Sequence, residues 1–214
     1  MIPRAIDLET LSTPGKAAIL YGPRRAGKTT LLTSYLQGCG LRYRLETGDN
    51  IRMQHLLGSA DLQEILAFAE GYQVVAIDEA QEIPGIGTGL KLLVDHRPDL
   101  RIIATGSSPF DLAGAVGEPL TGRKRTATLY PTSQLELTAT LNRFDLKERL
   151  PEFLVYGAYP ELVTASSRKE RIEYLEELAG SYLLKDLLAH ERIRASRPML
   201  DLLKLVAFQV GSEV

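Results

Sequence analysis

Gly22-Pro23-Arg24-Arg25-Ala26-Gly27-Lys28-Thr29 follows the apolar run Ala17-Ala18-Ile19-Leu20-Tyr21 and precedes Leu31, Leu32, Tyr35 and Leu36, which recur at helical spacing. A buried strand, a glycine-rich turn and a helix in that order make one unit of a parallel sheet. The octapeptide matches G-x-x-x-x-G-K-[ST] at every fixed position. The glycines let the backbone close around anionic oxygens, and successive N–H groups form a nest for them. The helix that follows adds the positive end of its dipole. Lys28 supplies a point charge, and the Thr29 hydroxyl supplies an oxygen suited to a hard cation. The stretch reads as a phosphate cradle built from residues 22 to 30, with Thr30 in the first turn of its helix.

Further strand-helix units extend from this one. Leu41 to Glu46 alternates and is expected as a second strand. Leu62, Ile65, Leu66 and Phe68 predict a helix, and Tyr72 to Ile77 a third strand. Leu90, Leu92, Leu93 and Val94 predict a helix that ends before Pro98. Leu100 to Ala104 is expected as a fourth strand and Thr126 to Tyr130 as a fifth. Between them, Thr105 to Arg125 carries several glycines and prolines and reads as a ligand-contacting loop. The fold class is α/β, a three-layer sandwich around a mostly parallel five-stranded sheet. After Pro131 the strand signal stops. Ile172, Leu175, Leu178, Tyr182 and Leu183 form an amphipathic stripe, and Leu200 to Val210 a further helix. The pattern divides the chain into a sheet domain over 1–132 and a helical appendage over 133–214.

The chain has 214 residues, 44% of them hydrophobic and 24% charged, as a globular domain requires. Lys and Arg number 25 against 27 Asp and Glu, a net charge of −2 that argues against a broadly basic nucleic-acid coat. Cys39 is the single cysteine, so no internal disulfide forms. No apolar run approaches the ~20 residues of a membrane span, and Met1-Ile2-Pro3-Arg4 opens no signal-peptide core. A cytoplasmic protein without membrane contact is expected.

Two further stretches carry chemistry. Val74-Val75-Ala76-Ile77-Asp78-Glu79 delivers two acids to the end of an apolar strand. Beside a phosphate cradle, Asp78 is expected to hold Mg²⁺ together with Thr29. Glu79 is expected to orient or deprotonate a water. Ile102-Ile103-Ala104-Thr105-Gly106-Ser107-Ser108 ends a strand in small hydroxyl residues, of which Thr105 and Ser107 are candidates to contact a phosphate or the attacking water. The acid pair favours hydrolysis over transfer to a small acceptor. The chain lacks Asn-Lys-x-Asp, which favours ATP over GTP. Glu46 and Asp49 read as ordinary loop acids, and His55, His96 and His190 lack ligand partners at useful spacing. The charges between Arg168 and Arg197 read as solvated helix faces.

These stretches, with Ile2-Pro3-Arg4, Asp78-Glu79-Ala80-Gln81, Leu120-Thr121-Gly122-Arg123, Leu129-Tyr130-Pro131 and Tyr156-Gly157-Ala158-Tyr159-Pro160, occur in an order that resembles one group. The chain is similar to the prokaryotic AAA+-type P-loop ATPases whose ATPase domain precedes a winged-helix segment and a C-terminal nuclease-like domain. The resemblance covers nearly the whole chain. It implies that Arg123 reaches a γ-phosphate in its own or a neighbouring subunit, with Arg125 a weaker candidate; a solvated charge or salt bridge is the plainer reading. It places Ile2 to Arg4 near the base. Val210 to Glu213 reads either as a helix stop and the cap of a further helix or as a frayed terminus; on the family pattern the chain is expected to stop near the start of the winged helix, before the C-terminal module.

The combined expectation is Mg²⁺-dependent hydrolysis of ATP, with Glu79, Lys28, Thr105 and Arg123 as catalytic residues and ATP and Mg²⁺ as cofactors. A homo-oligomer and a DNA or protein partner remain open. The alternatives are a nucleotide-gated binding module with little turnover and a P-loop kinase acting on a small molecule.

Overall fold

Alternation of side chains along three strands decides how the layers assemble. The structure, a computed structural model, describes residues 2–107, 120–183 and 196–209. Ser108 and the loop to residue 119, His190 and the chain end from Val210 lie outside the described residues. Five strands, β1 (Ala17–Tyr21), β2 (Tyr43–Thr47), β3 (Val74–Asp78), β4 (Arg101–Gly106) and β5 (Lys124–Thr128), pair in parallel in the order β2-β3-β4-β1-β5. Successive residues of a strand point to opposite faces. Ala17, Ile19, Tyr21, Val75, Ile77, Ile102 and Ala104 fall in one core, and Ala18, Leu20, Val74, Ala76 and Ile103 in the other.

Helices cover both faces, as an all-parallel sheet demands. Helices α1 (Leu8–Leu11) and α2 (Lys28–Gly38) bring Leu8, Leu32 and Leu36 to the second core. On the first core, α3 (Ile51–Gly58) contributes Met53 and Leu57, and α4 (Leu62–Phe68) contributes Ile65 and Phe68. Helix α5 (Ile86–His96) adds Leu90 and Leu93. The expected α/β three-layer sandwich is the observed fold. Helix α3 was not among the expected elements; Asn50 caps it by accepting the Arg52 N–H.

Strand β1 keeps its expected bounds, and the other four shift by one or two residues at each end. Strand β5 begins at Lys124, earlier than its apolar residues indicate, because an edge strand can carry charged residues, Lys124 half-buried and Arg125 exposed. Strand β2, at the opposite edge, alternates exposed and half-buried residues, which blurs its start.

Beyond β5 every described element is helical: α6 (Gln134–Leu137), α7 (Arg143–Glu148), α8 (Leu150–Tyr156), α9 (Pro160–Thr164), α10 (Arg168–Glu177) and α11 (Ser196–Gln209), with wider π-type turns over Leu178–Leu183. The chain forms two compact units, Met1–Glu148 and Arg149–Val214. The contact boundary thus follows α7, whereas the sequence pattern changes after residue 132. In the second unit Pro160 opens α9, and Tyr159 packs on Tyr174 of α10 at 6.1 Å between ring centres. Among the described residues no helix is long and apolar enough to cross a membrane.

Candidate phosphate-binding site

The chain runs from β1 through α2 to the far edge, then returns through β3 and β4 to β1 before adding β5 on the other side. That reversal opens a crevice above the C-terminal ends of β1 and β4, where ligands of such sheets bind. The loop after β1, the acids ending β3 and the hydroxyl ending β4 converge there.

The loop is held from behind. A Cβ on Gly22 would lie 2.3 Å from the Leu129 carbonyl oxygen, so only glycine permits this approach. Arg25 takes a left-handed conformation (φ 63°), which helps curl the backbone. Lys28 opens α2, and its Nζ donates to the carbonyls of Gly22 at 2.9 Å and Pro23 at 3.2 Å. Burial pushes the Lys28 ammonium below its ordinary value, opposed by Glu79 and Asp78 and reinforced by Arg24. A buried cation with those two acids close by is electrostatically unfinished, and phosphate oxygens would complete it. Thr30 is exposed on the first turn of α2.

Asp78 receives one hydroxyl on each carboxylate oxygen. Thr29 Oγ1 donates to Oδ2 at 2.6 Å, and Thr105 Oγ1 donates to Oδ1. The first pair sets a threonine hydroxyl against a carboxylate, an all-oxygen donor set that fits Mg²⁺ with phosphate and water as remaining ligands. Thr105 Oγ1 also accepts the Glu79 N–H at 3.1 Å. Thr105 is fully buried, so its hydroxyl aligns the acid pair and does not stand out as a donor to phosphate. Ser107 follows the strand, half-buried.

Glu79 itself has φ 49° and ψ 44°, a conformation costing a non-glycine residue about 1–3 kcal/mol. Two residues outside the expected set hold it. Gly48 donates its N–H to the Asp78 carbonyl at 2.8 Å, and a Cβ there would lie 2.2 Å from the Glu79 carbonyl oxygen. Gln81 Nε2 donates to Glu79 Oε2 at 2.6 Å. Arg4, expected near the base, instead holds the loop: its Nη1 donates to the Ala26 carbonyl at 2.6 Å. The signal for Gly48 was a lone glycine at a strand end, and Gln81 stood in plain view beside the acids.

Arg123 is not brought into this cluster. Its carbonyl accepts the N–H of Ala17, the first residue of β1, at 2.9 Å. It therefore sits at the N-terminal edge of the sheet, about 17 Å of strand from the loop. Its Nε bonds Asp95 of α5 at 2.6 Å. This geometry keeps Arg123 out of the site of its own chain. Arg125 donates to the Thr10 carbonyl at 3.2 Å, Glu46 pairs with Arg44, and His96 contacts the Leu92 carbonyl. A cleft of about 680 Å³ opens against α3 and α4, lined in part by Arg44, Arg52 and His55. Arg44 there is already engaged by Glu46 and stacks over Phe68.

A family model described as AAA domain matches residues 14–138, and one described as a domain of unknown function matches residues 147–214. An uncharacterized protein of Methanocaldococcus jannaschii is 23% identical over 205 residues, 88% of this chain and 45% of that protein. An uncharacterized protein of Mycobacterium tuberculosis is 31% identical over 171 residues, 79% of this chain and 35% of that protein. The chain thus spans less than half the length of these curated relatives. Among solved structures, domain III of the Thermotoga maritima replication initiation protein DnaA aligns with a TM-score of 0.47 at 18% identity, over 79% of this chain and 88% of that one. DnaA bound to AMPPCP and single-stranded DNA aligns with a TM-score of 0.46 at 16% identity, over 97% and 68%.

Proposed function

The chain belongs to the AAA domain family of P-loop ATPases, and from that membership we propose that it binds ATP with Mg²⁺ and hydrolyses it to ADP and phosphate. The observation that carries this reading is the 2.6 Å contact between Thr29 and Asp78 beside the buried Lys28, which joins a phosphate cradle to a cation-binding pair. Lys28 would exchange its two loop carbonyls for β- and γ-phosphate oxygens. Thr29 and Asp78 would supply oxygens to Mg²⁺, which when bound neutralises charge on the β- and γ-phosphates. Glu79 would take the proton of the attacking water as the water's oxygen bonds the γ-phosphorus and the β–γ bridging bond breaks. Thr105 keeps Asp78 and Glu79 in register. The work asked of the protein is positioning and electrostatic stabilisation.

Arg123 fits this scheme as a group supplied to the site of a neighbouring copy. Its pair with Asp95 is partly exposed, worth about 0–1 kcal/mol, and readily exchanged for a phosphate. The isolated chain would then bind ATP and turn over slowly. One observation favours a second reading, a nucleotide-gated module with little turnover: the Gln81 amide already occupies the Glu79 carboxylate.

Two variants test the proposal. Lys28→Ala is expected to weaken ATP binding in calorimetry by tenfold or more, roughly 1.4 kcal/mol; unchanged affinity removes the cradle. Glu79→Gln is expected to keep that affinity while phosphate release falls by about 10²–10⁴. Wild-type turnover in Glu79→Gln moves the water-activating role elsewhere.

A further inference from the structure

The structure assigns to Arg4 a role in aiming the phosphate cradle: by gripping the Ala26 carbonyl, Arg4 is a positioning residue that fixes where the Gly27 N–H points. The inference rests on the nucleotide reading above and deepens it. Arg4 is buried, with its side chain 8% exposed, and its guanidinium spans three acceptors. Nη1 donates to Ala26 O at 2.6 Å, Nη2 to Tyr130 O, and Nε to Glu136 Oε1 at 3.1 Å. Glu136 is anchored in turn. Its Oε1 also accepts the Ala5 N–H at 2.7 Å, and its Oε2 accepts the Ser133 N–H at 2.8 Å, closing the capping box of α6.

The consequence follows from peptide geometry. In a planar trans unit the C=O and the next N–H point in opposite directions. Holding the Ala26 oxygen on the Arg4 side therefore sends the Gly27 N–H away from Arg4. Gly27 is the last loop residue before Lys28, so that N–H belongs to the anion nest. A cation on the carbonyl oxygen also polarises the unit, leaving its N–H more positive. Ala26 cannot easily turn away, since its N–H is held by Pro23 O at 3.2 Å and its side chain is fully buried. Lysine cannot replace Arg4, because a single ammonium lacks the planar fork that reaches three acceptors at once. Arg4 thus serves the phosphate tail and not the base.

The test is a competition assay on the intact chain with Mg²⁺, in which ATP, inorganic tripolyphosphate and adenosine each displace a fluorescent ATP analogue. Arg4→Lys is expected to weaken ATP and tripolyphosphate alike by about tenfold, leaving their ratio as in the wild type and adenosine unaffected. Glu136→Gln, which keeps the shape of the clasp, is expected to give a smaller loss of the same pattern. If ATP weakens while tripolyphosphate does not, Arg4 serves the base or sugar and the inference falls. If neither weakens while the melting temperature drops, Arg4 is only a structural clasp. Should Arg4→Lys fail to fold, as judged by circular dichroism, Glu136→Gln decides by the same criteria. A wild-type chain that binds neither ATP nor tripolyphosphate overturns the nucleotide reading itself, and does so before any variant is compared.

Discussion

At the residue scale, the site depends on a backbone posture that Glu79 does not adopt cheaply. Its left-handed conformation is sustained by the Thr105 hydroxyl on its N–H and by the unsubstituted Cα of Gly48 against its carbonyl. Gly48→Ala places a methyl group where no carbon fits, so either the turn after β2 or the peptide after Glu79 must move. Overpacking of this kind costs about 1–3 kcal/mol, and a chain of this size loses about 2–4 °C of Tm per kcal/mol. Scanning calorimetry is expected to register that drop, and turnover is expected to fall further than ATP affinity, because Glu79 moves while the loop after β1 does not. An unchanged Tm together with unchanged turnover would mean that Gly48 does not support Glu79.

At the scale of elements, the central strand β1 was read at its observed bounds, whereas the edge strand β5 was read two residues late. Strands β1, β3 and β4 are covered on both faces, so their apolar runs stand out. Lys124 and Arg125 hide the start of β5, because only one neighbour needs them. Helix α3 escaped because it buries only Met53 and Leu57, with Leu56 half-buried beside them, too few to set a period. Lys28, Thr29, Asp78 and Glu79 were legible because their spacing encodes a local turn and a strand end. The pairing of Arg4 with Glu136 was not, since nothing in sequence order joins residues that lie more than a hundred positions apart. Their clasp makes its own prediction. Burial pushes the Glu136 carboxyl up, but the Ser133 and Ala5 amides and Arg4 outweigh it and hold it below the ordinary value of 4.5. A depressed folded value means the clasp contributes in full above the unfolded value, and loses that contribution as pH falls through the folded one. The Tm difference between wild type and Glu136→Gln is therefore expected to be largest at neutral pH and to shrink once pH drops below 4.5. A difference that stays constant across that range would show that ionisation of Glu136 contributes nothing.

At the scale of the whole molecule, the described residues of the candidate site fall on one side of the contact boundary. Arg4, the loop from Gly22, Gly48, the Asp78-Glu79-Ala80-Gln81 stretch, Thr105, Leu129 and Glu136 all belong to Met1–Glu148. The second unit is built differently: short helices tied by Arg171 to Glu152 and the Ala165 carbonyl, and by Tyr159 on Tyr174. Leu154 and Val155 of α8 and Phe208 of α11 remain largely exposed, so the described residues of this unit bury little apolar surface. Stability should then reside mainly in the first unit, whose two cores sandwich the sheet. A chain ending at Glu148 is expected to melt cooperatively and to bind ATP within about threefold of the full chain, a difference under 1 kcal/mol. Calorimetric titration of the two chains side by side measures it. If the shorter chain folds but its affinity collapses, residues beyond Glu148 contribute to the nucleotide site; if affinity holds while turnover changes, they act on the chemical step and leave the cradle intact.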